Sequence, residues 1–297
     1  MLLNNKIPLT YIFGKIKFEL IYTTIIWLIT FFATHGYASI NPQIPVTVPA
    51  FIGTAISIIL SFKLSQSYDR WWEARKIWGS IVNESRIFVL QLQSFIKPAN
   101  NNDIRTLAFR QIAWCFSLGR SLRGLNAVEN LDKYLSMDDL KLMSKHNNKP
   151  LAILQLNTRH IADLKTKEAM DIFSQIQINH TLVNFSNAMG MAERIKSTVF
   201  PVTYRLFLHW MIYLFTVVLS IALYDLAWYF EFPLLLALSS SFFLLEKAAT
   251  ELQDPFSNRP TDTPMTTIAT NIEINIKQLL NETEIPQPLP SNKFYSL

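Results

Sequence analysis

The fold of this chain is decided by residues 44–78, which read IPVTVPAFIGTAISIILSFKLSQSYDRWWEARKIW. The first part, up to Phe62, carries no charge and is long enough to cross a lipid bilayer as a helix. The second part becomes charged at Lys63, and no glycine or proline separates the two parts after Gly53. The stretch therefore predicts one long helix that begins in lipid and continues into water.

One face of the predicted helix carries Thr54, Ile58 and Phe62, which follow one another at intervals of four residues. Three small polar residues lie beside this stripe: Ser57, Ser61 and Ser65. An apolar stripe occurs in any membrane-spanning helix, and packing is its ordinary interpretation. If several copies of the helix surrounded an axis, the same face would line a tube, and rings of Ile and Phe side chains could close it by dewetting.

The rest of the chain alternates between apolar and polar regions. Charge-free runs of spanning length occur at 20–38 and 206–224, and a shorter run at 232–245 reaches that length only with residues 227–231. A signal peptide is the alternative interpretation of the first run, but its apolar part is long and its cleavage site is poor. We therefore interpret the first run as a retained membrane span.

The domain organisation follows from these runs and from the patterns between them. Amphipathic patterns at 81–96, 102–122, 137–146 and 160–193 predict a helical bundle, and 265–280 predicts a further helix. The fold class is an all-α membrane protein with four transmembrane helices. Its predicted parts are a cytosolic segment 1–17, transmembrane helices 1 and 2 in 18–62, a cytosolic helical domain 63–205, transmembrane helices 3 and 4 in 206–247, and a cytosolic C-terminal segment with its tail, 248–297.

The placement of positive charge predicts the orientation of the chain. Lys and Arg are absent from residues 18–62 and 206–246, and they flank both regions. Positively charged residues remain on the cytoplasmic side of a membrane, so both termini and the helical domain are predicted to be cytoplasmic.

Composition argues against several kinds of chemistry. The single cysteine, Cys115, excludes a disulfide framework and a cysteine-rich metal site. The 7 glycines form no phosphate-loop or dinucleotide pattern, the 5 histidines lack metal-ligand spacing, and Lys and Arg form no basic stripe for nucleic acid. We therefore expect no enzyme, no bound metal or cofactor and no nucleic-acid partner. A membrane-embedded enzyme or carrier remains an alternative because four ionisable residues lie near span ends: His35, His209, Asp225 and Glu231.

Two polar motifs border the predicted spans. Residues 67–79, SYDRWWEARKIWG, contain a dense set of charged and aromatic residues: Asp69, Arg70, Trp71, Trp72 and Glu73. Packing and salt bridges on a solvated helix are their ordinary interpretation. Residues 190–204, GMAERIKSTVFPVTY, contain Glu193, Arg194 and Pro201, and the proline predicts a helix end near Phe200.

These motifs, in this order and at this spacing, resemble the signatures of the bestrophin family in its bacterial form. Residues 254–256, Asp-Pro-Phe, resemble a third signature that is usually Asn-Pro-Phe. With the four-span layout, the resemblance covers nearly the whole chain. It implies a homopentamer in the lipid bilayer of a bacterial inner membrane, with one axial pore for small monovalent ions, either chloride or Na⁺ and K⁺. A non-conducting membrane scaffold is a further alternative.

The resemblance also implies roles for particular residues. Three residues of the second span form a hydrophobic neck in the family, and they correspond here to Thr54, Ile58 and Phe62. Thr54 replaces the usual apolar residue, and we expect it to widen or wet the outer neck. The residue before the proline of the second signature, here Phe200, is expected to form a narrow cytosolic aperture.

A calcium site is not expected in this chain. Animal members of the family clasp calcium with an acidic run after the third signature. Here Asp262 alone keeps an acid where a ligand is expected, and Arg259 adds a positive charge. Calcium prefers several oxygen ligands, so the sequence predicts no calcium clasp.

Overall fold

A computed structural model of the chain describes residues 7–36, 44–199, 201–290 and 294–295. Regular structure in these residues is helical, which confirms the predicted class. The α-helices are α1 Leu9–Gly36, α2 Thr47–Phe95, α3 Asn101–Leu122, α4 Met137–Ser144, α5 Lys149–Thr166, α6 Ile172–Ser197, α7 Val202–Ala222, α8 Trp228–Gln253 and α9 Met265–Leu279. A 3₁₀ turn, Pro98–Asn100, precedes α3.

The chain divides into two compact units. The apolar unit contains Asn5–Arg70 and Val199–Gln253, and the bundle unit contains Trp71–Thr198 and Asp254–Leu297. Within the described residues, four helices are long and apolar enough to cross a membrane, namely α1, α2, α7 and α8. In the apolar unit, α1 packs against α7 and α8, which also pack against each other.

Two membrane helices extend beyond the lengths that the sequence predicted. Helix α1 begins at Leu9 rather than near residue 20, because no proline follows Pro8 in this segment and Gly14 alone does not end the helix. Helix α8 continues to Gln253, beyond residue 247, where the predicted membrane segment ends. Both extensions carry charged side chains, and Lys15 of α1 forms an ion pair with Glu251 of α8.

The bundle unit is organised around α3, which packs against α5, α6 and α9. Its core is apolar and aromatic, as shown by Trp114 and Phe185, which are fully buried with ring centroids 5.1 Å apart. The predicted helix at 265–280 is confirmed as α9, which ends one residue earlier.

The prediction of one helical pattern over 160–193 was wrong. Helix α5 ends at Thr166, and Glu168 adopts a left-handed backbone conformation with φ of 55°. Asp171 then caps α6, since its side chain accepts hydrogen bonds from the backbone N–H groups of Phe173 and Ser174. Both helices bury residues in the same core, which explains why apolar residues recur on both sides of the break.

Candidate pore-lining face and its support

Helix α2 is continuous over 49 residues, which confirms the long helix predicted from its sequence. In the apolar unit, its candidate neck residues are exposed: Thr54 is exposed, and Ile58 and Phe62 are 54% and 65% exposed. Large apolar side chains exposed on a single chain indicate contact with lipid, with another copy or with a pore. This surface is called the neck face below.

Hydroxyl groups on the neck face are partly used inside the helix. Thr54 Oγ1 donates to the carbonyl oxygen of Ala50 at 2.8 Å, and Ser57 Oγ donates to that of Gly53 at 2.8 Å. Each oxygen keeps a lone pair for an outside donor. The face is therefore weakly polar at Thr54 and apolar at Ile58 and Phe62.

The opposite face of α2 is buried against the rest of the apolar unit. Four of its residues are at most 3% exposed: Ile56, Leu60, Lys63 and Ser67. They follow one another at intervals of four, three and four residues, so they share one side of the helix. A charged lysine is unexpected on this buried side, because an unpaired charge is costly in a membrane.

Lys63 is paired with an acid on α8. Its Nζ atom donates to Glu246 Oε1 at 2.7 Å and to Thr250 Oγ1 at 2.9 Å. His209 Nε2, on α7, lies 3.0 Å from Glu246 Oε2. Lys63 and Glu246 are almost completely buried, so the pair connects α2 to α8 and, through His209, to α7.

Two further contacts hold the back of α2 against α7. Tyr204 donates its hydroxyl hydrogen to the carbonyl oxygen of Ile59 at 3.2 Å. A Cβ atom at Gly53 would lie 3.2 Å from Cε2 of Phe215, so glycine allows the two helices to approach closely there.

The first polar motif makes packing contacts and an ion pair. Trp71 Nε1 donates to the carbonyl oxygen of Thr261 at 3.0 Å, and its ring stacks on Trp72. Glu73 pairs with Lys76 at 2.6 Å on the surface. Asp69 is exposed and Arg70 is half-buried. These contacts agree with the packing interpretation.

The second motif forms a helix end. Glu193 Oε1 accepts a hydrogen bond from Asn148 Nδ2 at 2.8 Å, and the carbonyl oxygen of Arg194 accepts one from the backbone of Thr198 at 3.0 Å. Helix α6 ends at Ser197, and Pro201 immediately precedes α7, as the proline predicted. Phe200, the predicted aperture residue, lies outside the described residues.

Asp262 is held by its own loop. It is 1% exposed, and its Oδ2 atom accepts the backbone N–H of Arg259 at 3.1 Å. Burial raises the pKa of this carboxyl, although the backbone donors oppose the shift. Over the ranges that the structure describes, no three His, Cys, Asp or Glu residues are grouped closely enough to hold a metal.

Sequence reasoning missed the buried polar contacts of the apolar unit. Lys63 was interpreted as the first charged residue after the second span, and no contact between it and Glu246 was predicted. The available signal was their position: Lys63 lies three residues from Leu60 and four from Ser67 on the side of α2 opposite the neck face. That spacing could have suggested a buried lysine, but it could not have identified its partner.

Comparison with known proteins agrees with the architecture of a membrane protein built from apolar helices. The model of the family described as Bacterial/Fungal Bestrophin protein matches residues 8–278. The chain belongs to the bestrophin family, which confirms the resemblance of its motifs. Members of this family are ion channels, and the chain is not an enzyme.

Relatives and solved structures match over most of the chain. The Voltage-dependent anion channel-forming protein YneE of Escherichia coli O157:H7 is 30% identical over 96% of this chain and 93% of its own length. A protein with the same descriptive name from Mesorhizobium japonicum, mll4386, is 29% identical over 84% of this chain and 80% of its own length. A crystal structure of a bacterial bestrophin homologue from Klebsiella pneumoniae is 26% identical, with a TM-score of 0.84 over 91% of this chain and 100% of that chain.

Proposed function

We propose that the chain forms a homopentameric anion channel in a bacterial inner membrane, with the neck faces of five α2 helices surrounding one axial pore. The observation that carries the proposal is the contrast between the two sides of α2. The back of the helix is buried against the apolar unit, whereas Thr54, Ile58 and Phe62 remain exposed. The names of the curated relatives, which describe anion channels, support an anion as the permeant ion.

The chemistry of the neck face is suited to a hydrophobic constriction. Residues 44–62 carry no charge, and a charged side chain at the centre of a membrane helix would cost about 2.5–3.5 kcal/mol on the insertion scale. Rings of Ile58 and Phe62 would favour dewetting and close the pore to ions unless the helices separate. The Thr54 ring is more polar, so the two other rings are the stronger barrier.

The proposed orientation places both termini in the cytoplasm. Lys and Arg are absent from residues 18–62 and 206–246 and flank both regions, which is the distribution expected when the short connections face outward. Ions would then cross the neck before they reach the cytoplasmic side. An aperture at Phe200 remains part of the proposal.

The first experiment measures ion selectivity. The purified full-length protein, reconstituted in a planar bilayer under a tenfold KCl gradient, should reverse its current near the chloride equilibrium potential, about 59 mV from zero. Reversal near the potassium equilibrium potential, which has the opposite sign, would show that the protein is a cation channel and not an anion channel. Membranes that conduct no more than protein-free bilayers would favour the scaffold.

Native mass measurement should give five copies, and a monomer would contradict the axial pore.

The second experiment tests the neck. Ile58→Ala combined with Phe62→Ala should increase the current per channel severalfold, because smaller side chains widen the constriction and favour its hydration. The matched control is Ile29→Ala combined with Phe32→Ala on α1, which removes the same side chains from positions 63% and 66% exposed. If both pairs change the current equally, the neck assignment is wrong.

A further inference from the structure

The strongest unexplained feature is the buried ion pair next to the proposed neck. Lys63 directly follows Phe62, yet the side chain of Lys63 is inaccessible and that of Phe62 belongs to an exposed surface. Glu246 Oε1 accepts hydrogen bonds from Lys63 at 2.7 Å and from Thr250 at 2.8 Å, while its other oxygen faces His209. Three helices therefore meet at one carboxylate.

Stability alone does not explain such a pair. Removing two charges from water is costly, and an apolar pair of similar volume is often as stable as a buried ion pair. What the ion pair adds is geometry, because an unpaired charge in this interior would be penalised whenever α2 rotated or slid. A one-residue displacement that separated Lys63 from Glu246 would also change the direction of Phe62.

We propose that Lys63 is a positioning residue for the neck, and that its ion pair with Glu246 fixes the rotation of α2 so that Ile58 and Phe62 face the pore. Thr250 orients the carboxylate and the ammonium group, and His209 holds the second carboxylate oxygen from α7. The inference rests on the proposed channel function and deepens it. It assigns the polar cluster a role in conduction, although the cluster itself lines no part of the neck face.

The test replaces both charges at once, so that no uncompensated charge is left in the interior. Lys63→Met combined with Glu246→Met should fold and assemble, but its current per channel should differ severalfold from that of the parent. The matched control is Lys15→Met combined with Glu251→Met. That control removes an ion pair which also ends on α8 but starts from α1.

A second readout measures the neck residue without relying on current. A cysteine introduced by Phe62→Cys can be labelled with a water-soluble thiol reagent, and the native Cys115 gives little background because it is fully buried. The labelling rate should change severalfold in the Lys63→Met, Glu246→Met background and remain at the parent rate in the control background. Labelling of the Phe62 parent measures the contribution of Cys115.

The outcomes separate the two proposals. If the parent carries no current, the channel function fails, and the labelling rate still decides whether Lys63 orients position 62. Parent-like labelling in the Lys63→Met, Glu246→Met background overturns the positioning role, and so do equal changes in both ion-pair variants.

If the double variant does not assemble, Thr250→Val provides the milder test, since it removes one contact from each partner and keeps both charges. That variant should shift current and labelling in the same direction by a smaller factor, and parent-like values would overturn the inference.

Discussion

The two units of this molecule differ in the large side chains that they bury and in those that they expose. In the bundle unit the largest fully buried residues are aromatic, including Trp114, Phe88 and Phe185. In the apolar unit, Lys63 and Glu246 are buried. Many of the apolar side chains of that unit are instead exposed: Phe18, Ile21, Ile29, Phe32, Phe207 and Trp210.

This contrast shows which solvent surrounds each unit. Water drives apolar side chains into a core, whereas lipid does not, so membrane helices associate through close packing and polar contacts between them. Such contacts recur along the apolar unit. Thr216 meets Ser239 at 3.0 Å, and Ser220 lies 2.6 Å from Thr30 and donates to Glu231 at 2.9 Å. Helices α1, α7 and α8 are thus joined by hydrogen bonds between their buried side chains.

The largest expected effect is the loss of a buried aromatic side chain from the bundle unit. Trp114→Ala removes a fully buried indole from the core of the bundle unit and should lower the free energy of unfolding by about 3–5 kcal/mol. Denaturant unfolding in detergent, followed by circular dichroism, measures the loss. Its matched control is Trp210→Ala in α7, whose side chain is 74% exposed. Equal losses at the two tryptophans would contradict the contrast between the units.

A smaller effect is expected when a hydrogen bond between two helices of the apolar unit is removed. Thr216→Val keeps the shape of a buried side chain and removes its contact with Ser239, together with the hydrogen bond that its hydroxyl donates to the carbonyl oxygen of Ile212. The contact with Ser239 should contribute about 0.6 kcal/mol and at most about 1.7 kcal/mol, the average and the maximum for hydrogen bonds between membrane helices. Thr24→Val is the control, because the hydroxyl of Thr24 donates within α1 to the carbonyl oxygen of Leu20. Steric trapping or unfolding in mixed detergent micelles measures both variants. A loss at Thr24 as large as that at Thr216 would show that contacts between helices have no special weight here.

Much of this fold could be predicted from sequence because the deciding signals are local. The uncharged run up to Phe62 and the absence of a breaker after Gly53 were enough to predict one helix across residues 44–78. Its continuation to Phe95 was not predicted, because the pattern at 81–96 was interpreted as a separate helix. Periodicity over 265–280 was enough to predict α9. The break between α5 and α6 was missed because it depends on one left-handed residue, Glu168, within a pattern that remains amphipathic.

The candidate site was only partly accessible to the same reasoning. Spacing placed Thr54, Ile58 and Phe62 on one face, and the structure leaves that face exposed. The support behind it was invisible, since Lys63 and Glu246 lie 183 positions apart and neither forms a motif with its neighbours. A long-range contact of this kind is a property of packing, and no local pattern specifies it.

The smallest expected effect compares one buried acid from each unit. Glu246 is held by cationic and polar side chains from other helices, whereas Asp262 accepts a backbone N–H from its own loop. An amide oxygen can accept the same hydrogen bond, so Asp262→Asn should change the free energy of unfolding by less than about 1 kcal/mol at neutral pH. Millimolar calcium should stabilise neither protein, because a ligand raises stability only if it binds the folded state.

The difference in free energy of unfolding between the parent and Asp262→Asn should depend on pH, which provides the sharper measurement. Burial raises the pKa of Asp262 above its ordinary value of 3.8, so the folded protein holds this proton more tightly than the unfolded chain does. The stabilisation from the bound proton is present below the ordinary value and is lost as the pH rises through the folded value. The parent should therefore gain stability relative to Asp262→Asn when both are moved from neutral pH to about pH 4, within the range where Asp titrates. A difference that stays constant would contradict the raised pKa of Asp262. A calcium-dependent rise in the stability of the parent alone would show that Asp262 acts as a calcium ligand.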